Sequence, residues 1–246
     1  MGDTSIEWTD KTWNPVTGCT KVSEGCRHCY AERLFPKVYP GRKFTDVQLH
    51  PDRLDHPRKW RKPCMVFVNS MSDLFHQDIP GEFLDDVFSV MCSQKRHTFQ
   101  VLTKRPDRMA DYILNGFGEK YPNVWLGTSV ENQKAWDERY PYMLRISANV
   151  RFVSYEPALG PINFGLLRSP TEGTLKPYVD WIICGGESGP KARPMDPDWA
   201  RSVRDQCAAA GVPFFMKQMS KKAPIPEDLA IRQWPGENQF SGKGKP

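Results

Sequence analysis

The sequence predicts an α/β fold, a full or partial (β/α) barrel of about six parallel strands. Three observations carry this prediction. Six short runs are apolar throughout rather than alternating, as strands covered on both faces are. Helical patterns separate them at roughly 25–35-residue intervals, the rhythm of βαβ units. No G-x-G-x-x-G fingerprint follows any strand, which weighs against an open dinucleotide-binding sheet.

In chain order the strands are predicted at 64–69, 98–103, 124–129, 150–155, 181–184 and 213–216. Between them, Phe83, Leu84, Val87, Phe88 and Met91 fall on one face of a helical wheel, as do Trp136, Tyr140, Met143 and Leu144. The last helix is the clearest: Asp196 is its N-cap, Pro197 its first residue, and Gly211 its stop after Trp199, Val203, Cys207 and Ala210. Residues 1–234 read as a single domain, and 235–246, poor in apolar residues, as a disordered tail.

The composition, 39% hydrophobic and 26% charged, is that of a soluble chain with no run approaching the roughly 20 apolar residues that cross a bilayer. The first residues, Met1 to Glu7, have neither a basic nor an apolar stretch, so a cytoplasmic address is expected. A net charge of +5 permits an anionic partner without requiring one. Arg53, Arg58, Lys59, Arg61 and Lys62 surround Trp60, and Lys217, Lys221 and Lys222 lie near the end. Such groups either track a phosphate backbone or form a solvated connection.

Seven cysteines are present, three of them within eleven residues, while Cys64, Cys92, Cys184 and Cys207 stand apart. A chain of this length with clustered cysteines points to metal chemistry rather than a disulfide framework. The cluster is Cys19-x6-Cys26-x2-Cys29, with Gly18 and Gly25 each preceding a cysteine. Structural zinc takes four ligands, commonly two C-x2-C halves, and no second half exists here. Three thiolates suit a [4Fe-4S] cluster whose fourth iron stays open, with zinc as the competing reading. The amine and carboxylate of S-adenosyl-L-methionine suit that open iron.

The segment Asn14-Pro-Val-Thr-Gly-Cys19, followed by Cys26-Arg-His-Cys29-Tyr-Ala31, resembles the opening of radical S-adenosylmethionine proteins of the spore-photoproduct-lyase-like branch. Those proteins usually have C-x3-C-x2-C, so the spacing between Cys19 and Cys26 is wider here. The resemblance implies a barrel of the radical S-adenosylmethionine type and gives roles in order along the chain. Asn69, Ser72 and Asp73 fall in the segment that serves the methionyl amine, and Lys104 where a lysine reaches the methionyl carboxylate. Ser129 and Glu131 fall at the ribose position, and Glu156 in the loop beside the adenine. Later segments, Cys184-Gly-Gly-Glu-Ser-Gly189, Ala192-Arg-Pro-Met195 and Phe215-Met-Lys-Gln218, resemble a phage-associated three-cysteine-motif family.

Nearly every predicted strand ends in polar residues, and in either α/β architecture the active site lies at those carboxyl ends. Gly185 and Gly186 let backbone amides approach an anionic substrate, with Arg193 and Gln218 beside them. Cys184, Glu187 and Lys217 are the expected catalytic residues, Cys184 as a hydrogen-atom donor or else an ordinary buried thiol. The expected activity is reductive cleavage of S-adenosylmethionine and attack on a nucleotide or nucleic acid base. A one-electron reductant of flavodoxin or ferredoxin type and a DNA or nucleotide substrate are the implied partners. The alternatives are a nucleic-acid-binding protein with a structural metal, and a methyl or aminocarboxypropyl transferase using the same cluster.

Overall fold

A computed structural model describes residues 4–116, 121–165 and 178–236. Seven parallel strands form one sheet: β1 (Lys11–Trp13), β4 (Met65–Val68), β5 (Thr98–Thr103), β6 (Val124–Val130), β7 (Arg151–Tyr155), β8 (Trp181–Gly185) and β9 (Phe214–Gln218). Their spatial order is their sequence order, so each crossover joins neighbours, as in a (β/α) barrel. Two short strands, β2 (Val16–Thr17) and β3 (Gln48–Leu49), form a separate antiparallel pair.

All six predicted strands are present, and β1 is the seventh. It pairs with β4 through only Lys11↔Val66, Thr12↔Phe67 and Trp13↔Val68, too short a run for a periodicity to register. The helices are α1 (Tyr30–Val38), α2 (Gly81–Ser93), α3 (Pro106–Gly116), α4 (Gln133–Arg145) and α5 (Pro197–Ala210). α5 begins and ends as its sequence dictates. The Asp196 side chain accepts from the Asp198 N–H, and Gly211 takes a left-handed conformation at φ +67°.

Side-chain alternation divides the strands between two layers. Val66, Val68, Phe99, Val101, Leu126, Val153, Ile182 and Phe214 face outward and pack under the helices in two clusters. The intervening residues Phe67, Trp125, Phe152, Trp181, Ile183 and Phe215 join Trp8 in a third, inner cluster. Phe67 on β4 and Phe215 on β9 share that cluster, so the sheet curls round a common interior. Trp8 plugs it: its ring lies 4.7 Å from Phe67 and 6.3 Å from Trp181. Phe152 fits beside them only because Gly127 lies opposite, where a Cβ would meet the Phe152 ring at 2.6 Å.

The order of the sheet ends at β1 and β9, so the barrel is partial. The β9 edge is covered by the chain at 229–234. Met216 N–H donates to Ile231 O at 2.8 Å, and the Trp181 indole donates to Gln233 O at 2.8 Å. Of the predicted disordered tail, Pro235 and Gly236 are described, as a turn, and 237–246 lie outside the described residues. No helix among the described residues is long and apolar enough to cross a membrane.

Candidate active site at the carboxyl ends of the strands

The aromatic plug fills the barrel interior, and polar residues take over at the strands' carboxyl ends. The cysteine loop lies across this end, between β2 and α1. At its start Gly18 adopts φ +91°, and a Cβ there would come within 2.4 Å of Asp46 O, so only glycine makes the turn into Cys19. The six residues between Cys19 and Cys26 are anchored to the barrel. Thr20 Oγ1 hydrogen-bonds His76 Nε2 at 2.7 Å and accepts from the Arg105 guanidinium at 3.1 Å. Gly25 N–H donates to Glu131 Oε1 at 3.3 Å, and the Arg193 guanidinium donates to Glu24 O at 3.1 Å. The wide spacing is therefore a docked excursion that ends in a 3-10 turn over Glu24–Cys26.

Cys19, Cys26 and Cys29 line one cavity of about 140 Å³ together with Asn69, Ser72, Asp73, Lys104 and Ser129. Phe67 and Leu102 add apolar lining. Burial pushes the Cys19 thiol up to about 11, Asp73 adds to this, and Arg105, which donates to its Sγ at 3.7 Å, opposes it. Among the described residues no three His, Cys, Asp or Glu side chains converge on one metal-ion position.

The individual residues differ in how far the protein itself satisfies them. Asp73 Oδ1 accepts from the Phe75 N–H at 3.0 Å and the Thr103 hydroxyl at 2.6 Å. Its Oδ2 accepts from the Lys104 N–H and the Arg105 guanidinium, both at 3.0 Å. Asp73 thus fastens the end of β5. The Lys104 ammonium has no ion pair among the described residues and is half-buried in the cavity wall. Asn69, 2% exposed, sits at φ +61°, a conformation Asn tolerates better than most residues. Its Oδ1 accepts from the Val16 N–H, while its Nδ2 is buried without a partner.

The remaining predicted residues lie outside this cavity. Glu131 is 2% exposed and pairs with Arg139 Nη1 at 2.8 Å. Burial raises its carboxyl, but Arg139 foremost, with Ser23 and the more distant Lys104 charge adding to it, brings it below the usual carboxylate value. Lys217 Nζ meets Glu156 Oε1 at 2.5 Å inside the barrel, and Gly185 faces that pair, with its Cβ position 3.5 Å from the Glu156 side chain. Gly186 packs so closely on the next loop that a Cβ would come within 2.4 Å of Ser220 N, and its carbonyl accepts from Gln218 Nε2 at 2.8 Å.

Glu187 accepts from Arg193 through both oxygens, at 2.7 and 3.2 Å, and its Oε2 hydrogen-bonds His28 Nδ1 at 3.0 Å. Arg193 also meets Glu24 Oε1 at 3.0 Å, so the network latches the loop after β8 to the cysteine loop. Cys184 is fully buried and faces the helices, in the outer cluster with Val203 and Cys207 of α5; Ile183, its neighbour, takes the inward position. Burial raises its thiol well above the ordinary value.

Sequence reasoning left out Arg105, Arg139 and His76. Arg105 had a signal, since it follows Lys104 at a strand end. Arg139 and His76 had none, because their partners Glu131 and Thr20 are fixed only by the packed fold.

A solved structure of a single-substitution mutant of spore photoproduct lyase is similar to this chain, with a TM-score of 0.52 at 11% identity, over 85% of this chain and 75% of that one. A second, spore photoproduct lyase complexed with dinucleoside spore photoproduct, has a TM-score of 0.49 at 11% identity, over 84% of this chain and 63% of that one. At such identity the first likeness establishes the fold and leaves chemistry to the site. No curated relative matches the chain. The profile of one family, described as "Protein of unknown function (DUF5131)", matches residues 3–238, and the chain belongs to that family.

Proposed function

We propose that this protein is a radical S-adenosylmethionine enzyme that acts on a nucleotide or nucleic acid base. The observation that carries the reading is a shared cavity: three cysteines of one loop face the strand-end residues Asn69, Lys104 and Ser129 across it.

The donor set fits a [4Fe-4S] cluster better than a single ion. In a cubane each thiolate holds its own iron, so three sulfurs round one cavity need not converge on a point. Mononuclear zinc requires that convergence and a fourth ligand, and neither is found among the described residues. Cys19, Cys26 and Cys29 hold the cluster in this reading. When bound, it would supply the one electron needed for reductive cleavage of the sulfonium carbon–sulfur bond of S-adenosylmethionine, with methionine as the other fragment.

The protein's own groups account for binding and orientation. Lys104, a half-buried cation with no ion pair among the described residues, suits the methionyl carboxylate. The orphaned Asn69 Nδ2 is a donor for a ligand oxygen, since leaving it unpaired costs about 1–3 kcal/mol. Asp73, Glu131 and Glu187 are already satisfied by protein donors, so their proposed part is positioning: Asp73 sets Lys104, and Glu131 and Glu187 set the cysteine loop. Ser72 and Ser129 complete the cavity's polar lining. The Glu156–Lys217 pair, with Gly185, Gly186, Arg193 and Gln218 nearby, forms the substrate side of the barrel mouth. A flavodoxin- or ferredoxin-type reductant supplies the electron.

The nucleoside product tests the reading. Anaerobically reconstituted protein with dithionite should convert S-adenosylmethionine to 5′-deoxyadenosine. Methylthioadenosine in its place would assign an aminocarboxypropyl transfer, and neither product would end the radical reading.

A further inference from the structure

A second concavity opens on the other side of Cys29, which lines both. At about 410 Å³ it is the larger. One wall is the end of the cysteine loop and the first turn of α1, and the other is the loop after β8.

Its charge is uncompensated. Arg27, Arg33 and Lys191 line it, and none has an ion pair or side-chain hydrogen bond among the described residues. The acid in the wall, Glu32, is already held by Lys21 at 3.0 Å. All three cations are exposed, so an entering anion meets them without breaking an internal contact. Two are guanidiniums, whose planar forks match the paired oxygens of a phosphate. Ser188 adds a hydroxyl.

The walls are also held in place. The loop after β8 passes over Arg33 so closely that a Cβ on Gly189 would lie 3.3 Å from Arg33 Nε, and Gly189 itself has φ +114°. The Glu187–Arg193–Glu24 latch ties the two walls together beneath the groove.

We propose that this groove is a phosphate-binding subsite that holds the sugar–phosphate backbone of a nucleic acid strand. Cys29 at its edge sets an adjoining nucleotide next to the cysteine cavity. The choice of nucleic acid rests on the proposed function; the cationic groove does not. Paired guanidinium forks beside a hydroxyl favour phosphate over a protein partner.

The test is fluorescence anisotropy of a labelled single-stranded DNA oligonucleotide with the full-length reconstituted protein, across a potassium chloride series. The variant is Arg33→Gln/Lys191→Gln, two exposed positions, with its melting temperature checked against the wild type. We expect binding at least tenfold weaker and a plot of log K against log salt flatter by about 1.4, the value for two lost phosphate contacts on a single strand. Equal affinity and slope in the variant, or no DNA binding by the wild type, overturns the subsite. Loss of reduction by flavodoxin with DNA binding intact also overturns it, and assigns the groove to an acidic protein. Deoxyadenosine formation by the same wild-type preparation is read separately. Groove-dependent DNA binding without it leaves the subsite standing and removes the radical reading.

Discussion

Arg139 donates to Glu131 Oε2 at 2.8 Å, and both side chains are nearly sealed from solvent, at 8% and 2% exposure. The other oxygen of the same carboxylate receives the Gly25 N–H, so a buried ion pair between the residue that follows β6 and α4 fastens the cysteine loop.

Removing one partner of that pair leaves a buried charge without compensation. Glu131→Ala should lower unfolding free energy in urea by about 3–5 kcal/mol. Glu131→Leu/Arg139→Met should recover most of the loss, because an apolar pair carries no desolvation penalty. Loop anchoring is a separate role, read from iron retention: both variants should lose iron faster than the wild type, since both lack the acceptor for Gly25.

The Glu187 carboxyl has a defined pH response. Burial pulls its pKa up, but hydrogen bonds from Arg193 and His28 bring it down to about 2 from an ordinary value of 4.5. A depressed carboxyl stabilises the fold above its unfolded pKa, and that contribution is lost as pH falls from about 4.5 toward 2. Denaturation midpoints measured at intervals across that window should fall in the wild type more steeply than in Glu187→Gln. Parallel curves would contradict the latch.

Gly127 is required by packing rather than by backbone conformation. Gly127→Ala drives a methyl into the Phe152 ring and should cost about 1–3 kcal/mol, measured by chemical denaturation. Adding Phe152→Leu should be less damaging on top of Gly127→Ala than in the wild type, a positive coupling in the double-mutant cycle.

Cys184 separates packing from chemistry. Its side chain lies against α5 and away from the cysteine cavity, so Cys184→Ala should lower the melting temperature and leave the product of the proposed reaction unaltered. A hydrogen-donor role would show instead as a changed product or as loss of turnover at unchanged stability.

The strands and the long helices were legible because burial on both faces leaves continuous apolar runs, as at Trp181-Ile-Ile-Cys184. β1 was not, since three residues carry no period and its place is set by pairing with β4. Nor was the inner plug, because Trp8 precedes every strand and meets Trp181 only when the sheet curls. At the site, Asn69 and Lys104 were readable from their position just after strands, and Ser129 from its place near the end of one. Which carboxylates are free was not: Asp73 meets Arg105 and Glu187 meets His28 across 32 and 159 residues of sequence. Tertiary pairing decided that Asp73 is held by Arg105, whereas Lys104 has no ion pair among the described residues.

The most direct test of the cluster is metal and sulfide content after anaerobic reconstitution. The three-cysteine site predicts about four irons and four sulfides per chain, with a visible charge-transfer band lost in Cys19→Ala, Cys26→Ala and Cys29→Ala alike. One zinc per chain without iron, or iron binding indifferent to those three substitutions, would contradict it.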